Sequence, residues 1–352
     1  MDDFIAEFVE RVRGAAAEKT PLRIRGGGSK DFYGGPLRGE ILDTRRHAGI
    51  VAYDPTELVI TARAGTPLAQ IEAALASEGQ MLAFEPPHFD EAATLGGVVA
   101  AGLSGPRRVA AGSVRDFVLG VRMIDGRGEV LNFGGQVMKN VAGYDVSRLM
   151  AGAMGCLGLL LEVSLKVLPL PAAETTLRLE VPQGRALELL NGWAGRPLPI
   201  SASCWQDDVL TLRLSGAHAA VAAACRQLGG ESAADGATFW RALREQRAAF
   251  FAERLPLWRL SLPSTAAPLD LPGAQLLEWG GSLRWLKSGA APERIRAAAA
   301  GGHATLFRGS DEARAEGVFQ TLPPSLLALH RRLKHAFDPA GIFNPGRMFR
   351  EF

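Results

Sequence analysis

Pro21-Leu22-Arg23-Ile24-Arg25-Gly26-Gly27-Gly28-Ser29 is the stretch on which the fold turns. Leu22 and Ile24 alternate with Arg23 and Arg25, the period of a half-buried strand. The strand runs straight into three residues without a Cβ. Such a run lets main chain approach an anion closely, and successive N–H groups form an anion-receiving nest. Ser29 adds a hydroxyl, and Arg25 adds charge suited to a pyrophosphate. A glycine triplet also serves as a plain turn, so the weight falls on what recurs further along.

Two more glycine clusters follow. Thr94-Leu95-Gly96-Gly97 leads on to Gly102, Gly105 and Gly112, with Arg107, Arg108, Arg115 and Asp116 close by. Gly152-Ala153-Met154-Gly155-Cys156-Leu157-Gly158 stands just before an apolar strand at Leu159–Leu168. Three such loops in one half, each beside a strand, suit a long ligand touched by main chain in several places. A dinucleotide such as FAD meets that demand. The sequence has no G-x-G-x-x-G between strand and helix and no G-x-x-x-x-G-K-[ST], which leaves Rossmann and P-loop readings unsupported.

The surrounding pattern predicts an amphipathic helix over 3–13, with Phe4, Ile5, Phe8, Val9 and Val12 on one stripe. Strands are expected at Ile41–Asp43, Ile50–Tyr53 and Leu58–Ala62. Thr66 reads as an N-cap and Pro67 as the first helical residue of a helix that buries Leu68, Ile71 and Leu75 and ends at Gly79. A hairpin is expected from Phe117–Ile124, the turn Asp125–Gly128 and Glu129–Phe133. A short helix over 145–152 precedes the closing strand, which Pro169 and Pro171 end. Glycines thin out after residue 170, and the tryptophans Trp193, Trp205, Trp240, Trp258, Trp279 and Trp285 lie beyond it. The division expected is 1–170, a mixed α/β unit over 171–320, and a tail over 321–352 with a helix at Leu326–Phe337. Trp279 and Trp285 read first as core of the second unit, with interface anchoring as the other reading.

A chain of 352 residues suggests two domains at about 100–200 residues each. The formal net charge of +2 gives no whole-chain field for nucleic acid. The short runs Arg45-Arg46, Arg107-Arg108 and Arg331-Arg332 read as solvated surface. Cys156, Cys204 and Cys225 are far apart, which argues against a disulfide framework, an iron–sulfur cluster or structural zinc. Met-Asp-Asp-Phe lacks the basic start of a signal peptide, and no apolar run approaches the roughly 20 residues of a membrane span. A cytoplasmic protein is expected, peripheral at the membrane only through partners.

At these residues the chain resembles the vanillyl-alcohol oxidase / p-cresol methylhydroxylase (PCMH-type) FAD-binding superfamily. Within it, the chain is most similar to the FAD-binding subunits of glycolate oxidase, the GlcE type. The order of features carries the resemblance: RGGGS, AGTPL, TLGGVVAAGLSGPRR, GSVRDFVLGVRMIDGRGEVLNFGG and GAMGCLGLLLEVSLKVLP. The stretch 134–145 and the tail FDPAGIFNPGRM are the most specific strings. The resemblance implies an α+β fold: a PCMH-type two-subdomain FAD-binding domain with a smaller α/β cap. It implies that Arg25, Gly26, Gly27, Gly28 and Ser29 contact the pyrophosphate. Thr94, Gly96, Gly97, Gly112, Arg115 and Asp116 would line the cofactor, Gly155 and Val163 its adenine side, and Asn344 and Arg347 the flavin edge. The first loop holds no His, Cys or Tyr before Tyr33, so FAD is expected to be non-covalent.

Oxidising a 2-hydroxy acid needs a cation for the carboxylate, a base for the hydroxyl proton and a hydride acceptor. Candidate cations are Arg107, Arg108, Lys139 and Arg347. His88 and His303 lie in loops that could reach such a site, though loop histidines mostly face solvent. Related D-2-hydroxyacid dehydrogenases and the sister subunit carry a histidine-rich HPGDGNLH-type motif that this chain lacks, so no metal is expected. Three readings stay open: a subunit that itself oxidises glycolate or D-lactate, a flavin-holding electron carrier or scaffold beside a sister FAD subunit and an iron–sulfur subunit, and a stand-alone flavoprotein acting on another alcohol.

Overall fold

The computed structural model describes residues 3–135, 145–252 and 254–352. The N-terminal helix runs Asp3–Glu18, longer than the apolar stripe predicts, because Ala15 continues the buried row of Ile5, Phe8, Val9 and Val12. That row packs against Leu22, Leu42, Leu159, Leu161, Ile342 and Phe343. Strand Leu22–Arg25 pairs in parallel with Glu40–Asp43.

Next comes an antiparallel five-stranded sheet in the order Ile50–Asp54, Val59–Arg63, Leu159–Lys166, Val118–Ile124, Val130–Gly134. Its middle strand is apolar on both faces because both are covered. Leu159 and Leu161 meet the N-terminal helix, while Leu160, Val163 and Leu165 meet helices Leu68–Ser77 and Leu95–Ala101. Burial of this kind contributes about 25 cal/mol per Å² of apolar surface.

Local corrections have clear causes. Pro67, not Thr66, is the N-cap of Leu68–Ser77, and it makes no side-chain cap bond. The Thr66 hydroxyl instead accepts from Gly49 N at 2.9 Å and donates to Arg63 O at 2.7 Å, tying two turns together. Phe117 ends a short helix, Val114–Phe117, before the strand begins at Val118. A capping box, Ser113 with Asp116, starts that helix. The small-residue stretch also holds helices Leu95–Ala101 and Arg108–Ala111.

Beyond Ala173 lies an antiparallel eight-stranded sheet. Helices Gln183–Ala194, His218–Leu228 and Pro292–Ala298 cover its outer face. The inner face presents Cys204, Leu276, Leu283, Trp285 and Phe307 to Tyr33, Leu103, Met154 and Cys156 of the first half. Trp279 and Trp285 are both buried in that shared core. Arg45, Arg331 and Arg332 are exposed, but Arg107 is buried.

The tail helix is Pro324–Phe337. The chain after it returns to the first strand: Leu22 N donates to Ile342 O at 2.7 Å, and Asn344 N to Leu22 O at 2.9 Å. Lys334, buried, fastens this return by donating to Asp338 Oδ2, Cys156 O and Phe343 O. Among the described residues no helix is long and apolar enough to cross a membrane.

Candidate functional site

The three glycine loops converge. Two adjoining clefts share Ile24, Gly26, Gly97, Ala100, Met154 and Asn344, so they are two halves of one groove. One half adds Gly96, Gly155 and Gly158; the other adds Arg25, Gly27, Gly28, Ser29, Thr94 and Arg347. The glycines there do two different jobs. A Cβ on Gly26 would stand 2.2 Å from Thr94 Oγ1, and one on Gly27 1.5 Å from Ala92 O. Those two are therefore demanded by packing of the first loop on the second. Gly97 meets only Thr94 Oγ1, at 3.3 Å, and otherwise faces the open groove. Gly28 and Gly155 have φ of +78° and +72°, where side chains are strained.

The charged groups around the first loop are held in place. Asp31 Oδ2 accepts from Arg23 at 2.6 Å and from Arg25 Nε at 2.9 Å. Thr94 caps helix Leu95–Ala101. Asn344 joins the first and third walls: its Oδ1 accepts from Ile24 N at 2.8 Å and its Nδ2 donates to Met154 O at 2.7 Å. Arg347, which lines the groove, donates to Asp31 O, Lys30 O and Gly35 O, so its guanidinium braces the loop. Burial, then Arg314, pushes its pKa down to about 10.

Gly112, Arg115 and Asp116 are not among the residues lining either half of the groove. Asp116 accepts from Ser113 N and Oγ, each at 2.8 Å, and Gly112 packs against it. Val163 lies in the core of the middle strand. Arg107 bridges the two halves of the chain, with Nη2 2.8 Å from Glu174 and Nε 3.4 Å from Glu85. Lys139 and the stretch 136–144 lie outside the described residues. His88 Nε2 is 2.9 Å from Glu72, and its backbone N donates to Glu245. His303 opens an edge strand opposite Ser261; partial burial and, second, the charge of Arg259 lower its pKa.

Sequence reading missed several residues that the fold assembles. Lys30, buried at the first loop, donates to Ser29 Oγ and His88 O. Burial lowers its pKa to about 8, against the charge of Glu245. Between the two halves, Arg259, Glu278, Gln246 and Trp279 line a further cavity of about 30 Å³. Trp285 Nε1 donates to Glu278 Oε1 at 2.7 Å. Burial raises the Glu278 pKa to about 7, so this carboxyl can take or release a proton near neutrality. The only local signal was alternation along 257–261 and 274–287, which says nothing about which residues meet across strands.

Comparison with known proteins then decides the family. Glycolate oxidase subunit GlcE of Escherichia coli (strain K12) is 55% identical over 351 residues, 99% of this chain and 98% of that one. The chain belongs to the GlcE family of glycolate oxidase subunits. Residues 5–134 match the FAD binding domain family, and residues 313–348 match the C-terminal domain of FAD linked oxidases. More distant relatives of this GlcE-family chain share only part of it. Glycolate oxidase subunit GlcD of Bacillus subtilis (strain 168) is 30% identical over 162 residues, 45% of this chain and 34% of that one. D-lactate dehydrogenase of Archaeoglobus fulgidus is 30% identical over 181 residues, 50% of this chain and 40% of that one. A solved alkyldihydroxyacetonephosphate synthase shares the fold at a TM-score of 0.64 and 16% identity, over 96% of this chain and 74% of that one.

The groove fits FAD. Its walls are side-chain-poor, Gly97 leaves it open, and Arg25, Ser29 and Lys30 bring donors to the nest that a pyrophosphate would occupy.

Proposed function

We propose that this chain is the FAD-holding subunit of a glycolate oxidase assembly that oxidises a small 2-hydroxy acid, glycolate to glyoxylate. The single observation that supports it most is one continuous groove lined by all three glycine clusters and closed by Asn344. Full-length identity to a glycolate oxidase subunit supports the reaction class. Bound there, FAD supplies the acceptor for the hydride leaving the alcohol carbon. The chain's own residues bind and orient: the nest between Arg25 and Ser29 receives the pyrophosphate, Asn344 fixes the spacing of the loops, and Arg347 and Arg314 hold the first loop's carbonyls. Thr94, Gly96, Gly97 and Gly155 line the cofactor, while Gly112, Arg115, Asp116 and Val163 support that wall from outside the groove.

The cofactor is held without a covalent bond, since the first loop has no His, Cys or Tyr before Tyr33 to attach it. The partners are a sister FAD subunit and an iron–sulfur subunit, with the assembly in the cytoplasm and at most peripheral to the membrane. The domain division is 1–170, 171–320 and 321–352, in keeping with a five-stranded sheet drawn from the first part and an eight-stranded sheet from the second.

Two measurements test this. The purified chain should carry about one FAD, and acid precipitation should release all the yellow colour to the supernatant. Anaerobic glycolate should bleach the flavin of the assembled complex. Purified chain that takes up no FAD at micromolar concentration refutes the proposal. Bleaching of the isolated chain assigns turnover to this subunit, and bleaching only with the sister subunit present assigns it a cofactor-holding part.

A further inference from the structure

Trp279 lies at the junction of the two halves with two arginines on its ring. Arg108, from the first half, stands 4.4 Å from the ring centroid; Arg259, from the cap strand Leu257–Ser261, stands 5.2 Å away. Neither guanidinium makes an ion pair or a side-chain hydrogen bond among the described residues. By contrast, Arg244, which lines the same cavity as Arg259, is paired with Glu72 and Glu245. Each partly buried guanidinium loses hydration, and the two repel each other. Burial and, second, the charge of Arg259 lower the pKa of Arg108. A cation–π contact of this kind offsets part of that loss of hydration. Tyr33 and Glu278 act on Arg259, and Asp116 on Arg108, only through space, with no direct ion pair to either guanidinium among the described residues.

A second observation points into the same cavity. Gln246 is buried, and its Oε1 has no hydrogen-bond partner among the described residues. Its backbone is held at a φ of +52°, a strained value for glutamine. An unpaired buried acceptor calls for a donor, such as a hydroxyl. Strand register puts Arg259 opposite Trp285 and Glu278 opposite Leu283, so Arg259 and Glu278 share the inner face of the sheet. The cavity of about 30 Å³ has room for roughly two water-sized groups, which matches one end of a small acid.

We infer that Arg259 and Gln246, in the cavity beside Trp279, form the receiving subsite for a small 2-hydroxy acid, Arg259 taking its carboxylate and Gln246 its hydroxyl, while Arg108 adds positive charge from its place on the Trp279 ring. This rests on the proposed oxidation of such an acid, and adds residues of the cap to it.

The test uses the FAD-loaded full chain and measures binding, not turnover. Titration with oxalate, an unreactive two-carbon acid, should give a saturable heat signal and quench tryptophan fluorescence. Arg259→Met should weaken oxalate binding at least tenfold, the scale of a lost charge-assisted contact, and Arg108→Met should weaken it less, because Arg108 stands on the Trp279 ring outside the cavity lining. Arg259→Lys should fall between. Gln246→Leu should leave oxalate binding near wild type but weaken glycolate, which alone offers a hydroxyl. FAD content and melting temperature report whether each variant is folded. Unchanged oxalate affinity in folded, flavin-loaded Arg259→Met overturns the subsite. So does flavin-loaded wild type that binds no oxalate at about 10 mM. In both cases the flavin content leaves the cofactor reading standing.

Discussion

Replacing Glu85 by Gln should loosen the cap from the flavin-binding half. Glu85 sits at a φ of +47° in the turn after Phe84. Its carboxylate accepts from Arg107 N at 2.9 Å and lies 2.8 Å from Arg213 Nη2 and 3.4 Å from Arg107 Nε. The side chains of Arg107 and Arg213 are only 9% and 5% exposed. Glu174, the other anion of the cluster, is 34% exposed and 3.8 Å from Arg213 Nε. Glutamine therefore leaves one buried positive charge without its main partner. Removing one side of a buried pair costs about 3–5 kcal/mol. The amide oxygen still accepts one bond, which puts the expectation near 3 kcal/mol. The pH dependence has a definite sign. Burial alone acts to raise the Glu85 pKa, but Arg213 and Arg107 outweigh it and the net shift is downward. A carboxyl whose folded pKa is depressed contributes stability above its unfolded pKa, about 4.3. That stability is lost as pH falls through the lower folded value. Urea unfolding followed by tryptophan fluorescence is the assay, because Arg213 lies 5.2 Å from the Trp240 ring. At pH 7 the variant should lose about 3 kcal/mol, and the gap should narrow towards pH 3. A loss under about 1 kcal/mol at pH 7, or a gap that does not change with pH, would refute the clamp.

Three further outcomes follow from the groove and its supports. Asn344→Ala removes the bonds to Ile24 N and Met154 O and should weaken FAD binding about tenfold or more by fluorescence titration, with the fold retained. Lys334→Met strips Asp338 and two carbonyls of their shared donor; a thermal melt should show a loss of about 3–5 kcal/mol. Gly27→Ala places a Cβ 1.5 Å from Ala92 O and should give insoluble or flavin-free protein, whereas Gly97→Ala should stay folded and lose FAD affinity only.

From the sequence alone came the features that depend on local geometry. Strand alternation before Gly26, the glycine runs and the proline stops are properties of a few adjacent residues, so the glycine loops and most strands of the first half were readable. The PCMH-type resemblance of RGGGS, TLGGVV and FNPGRM was equally local. Element ends were misjudged where a non-local bond decided them: Thr66 reads as a cap but serves the Gly49 turn, and the small-residue stretch hid helices set by packing on the sheet. Arg107 and Arg347 could be named as cations, but not assigned. Only the fold brings Glu85 and Glu174 to the one, and the carbonyls of Lys30, Asp31 and Gly35 to the other. Arg259, Glu278 and Gln246 had no motif at all. They lie in separate segments and become a cavity only when antiparallel register and the docking of two halves around Trp279 place them together, because burial and charge pairing depend on neighbours in space, not on neighbours in the chain.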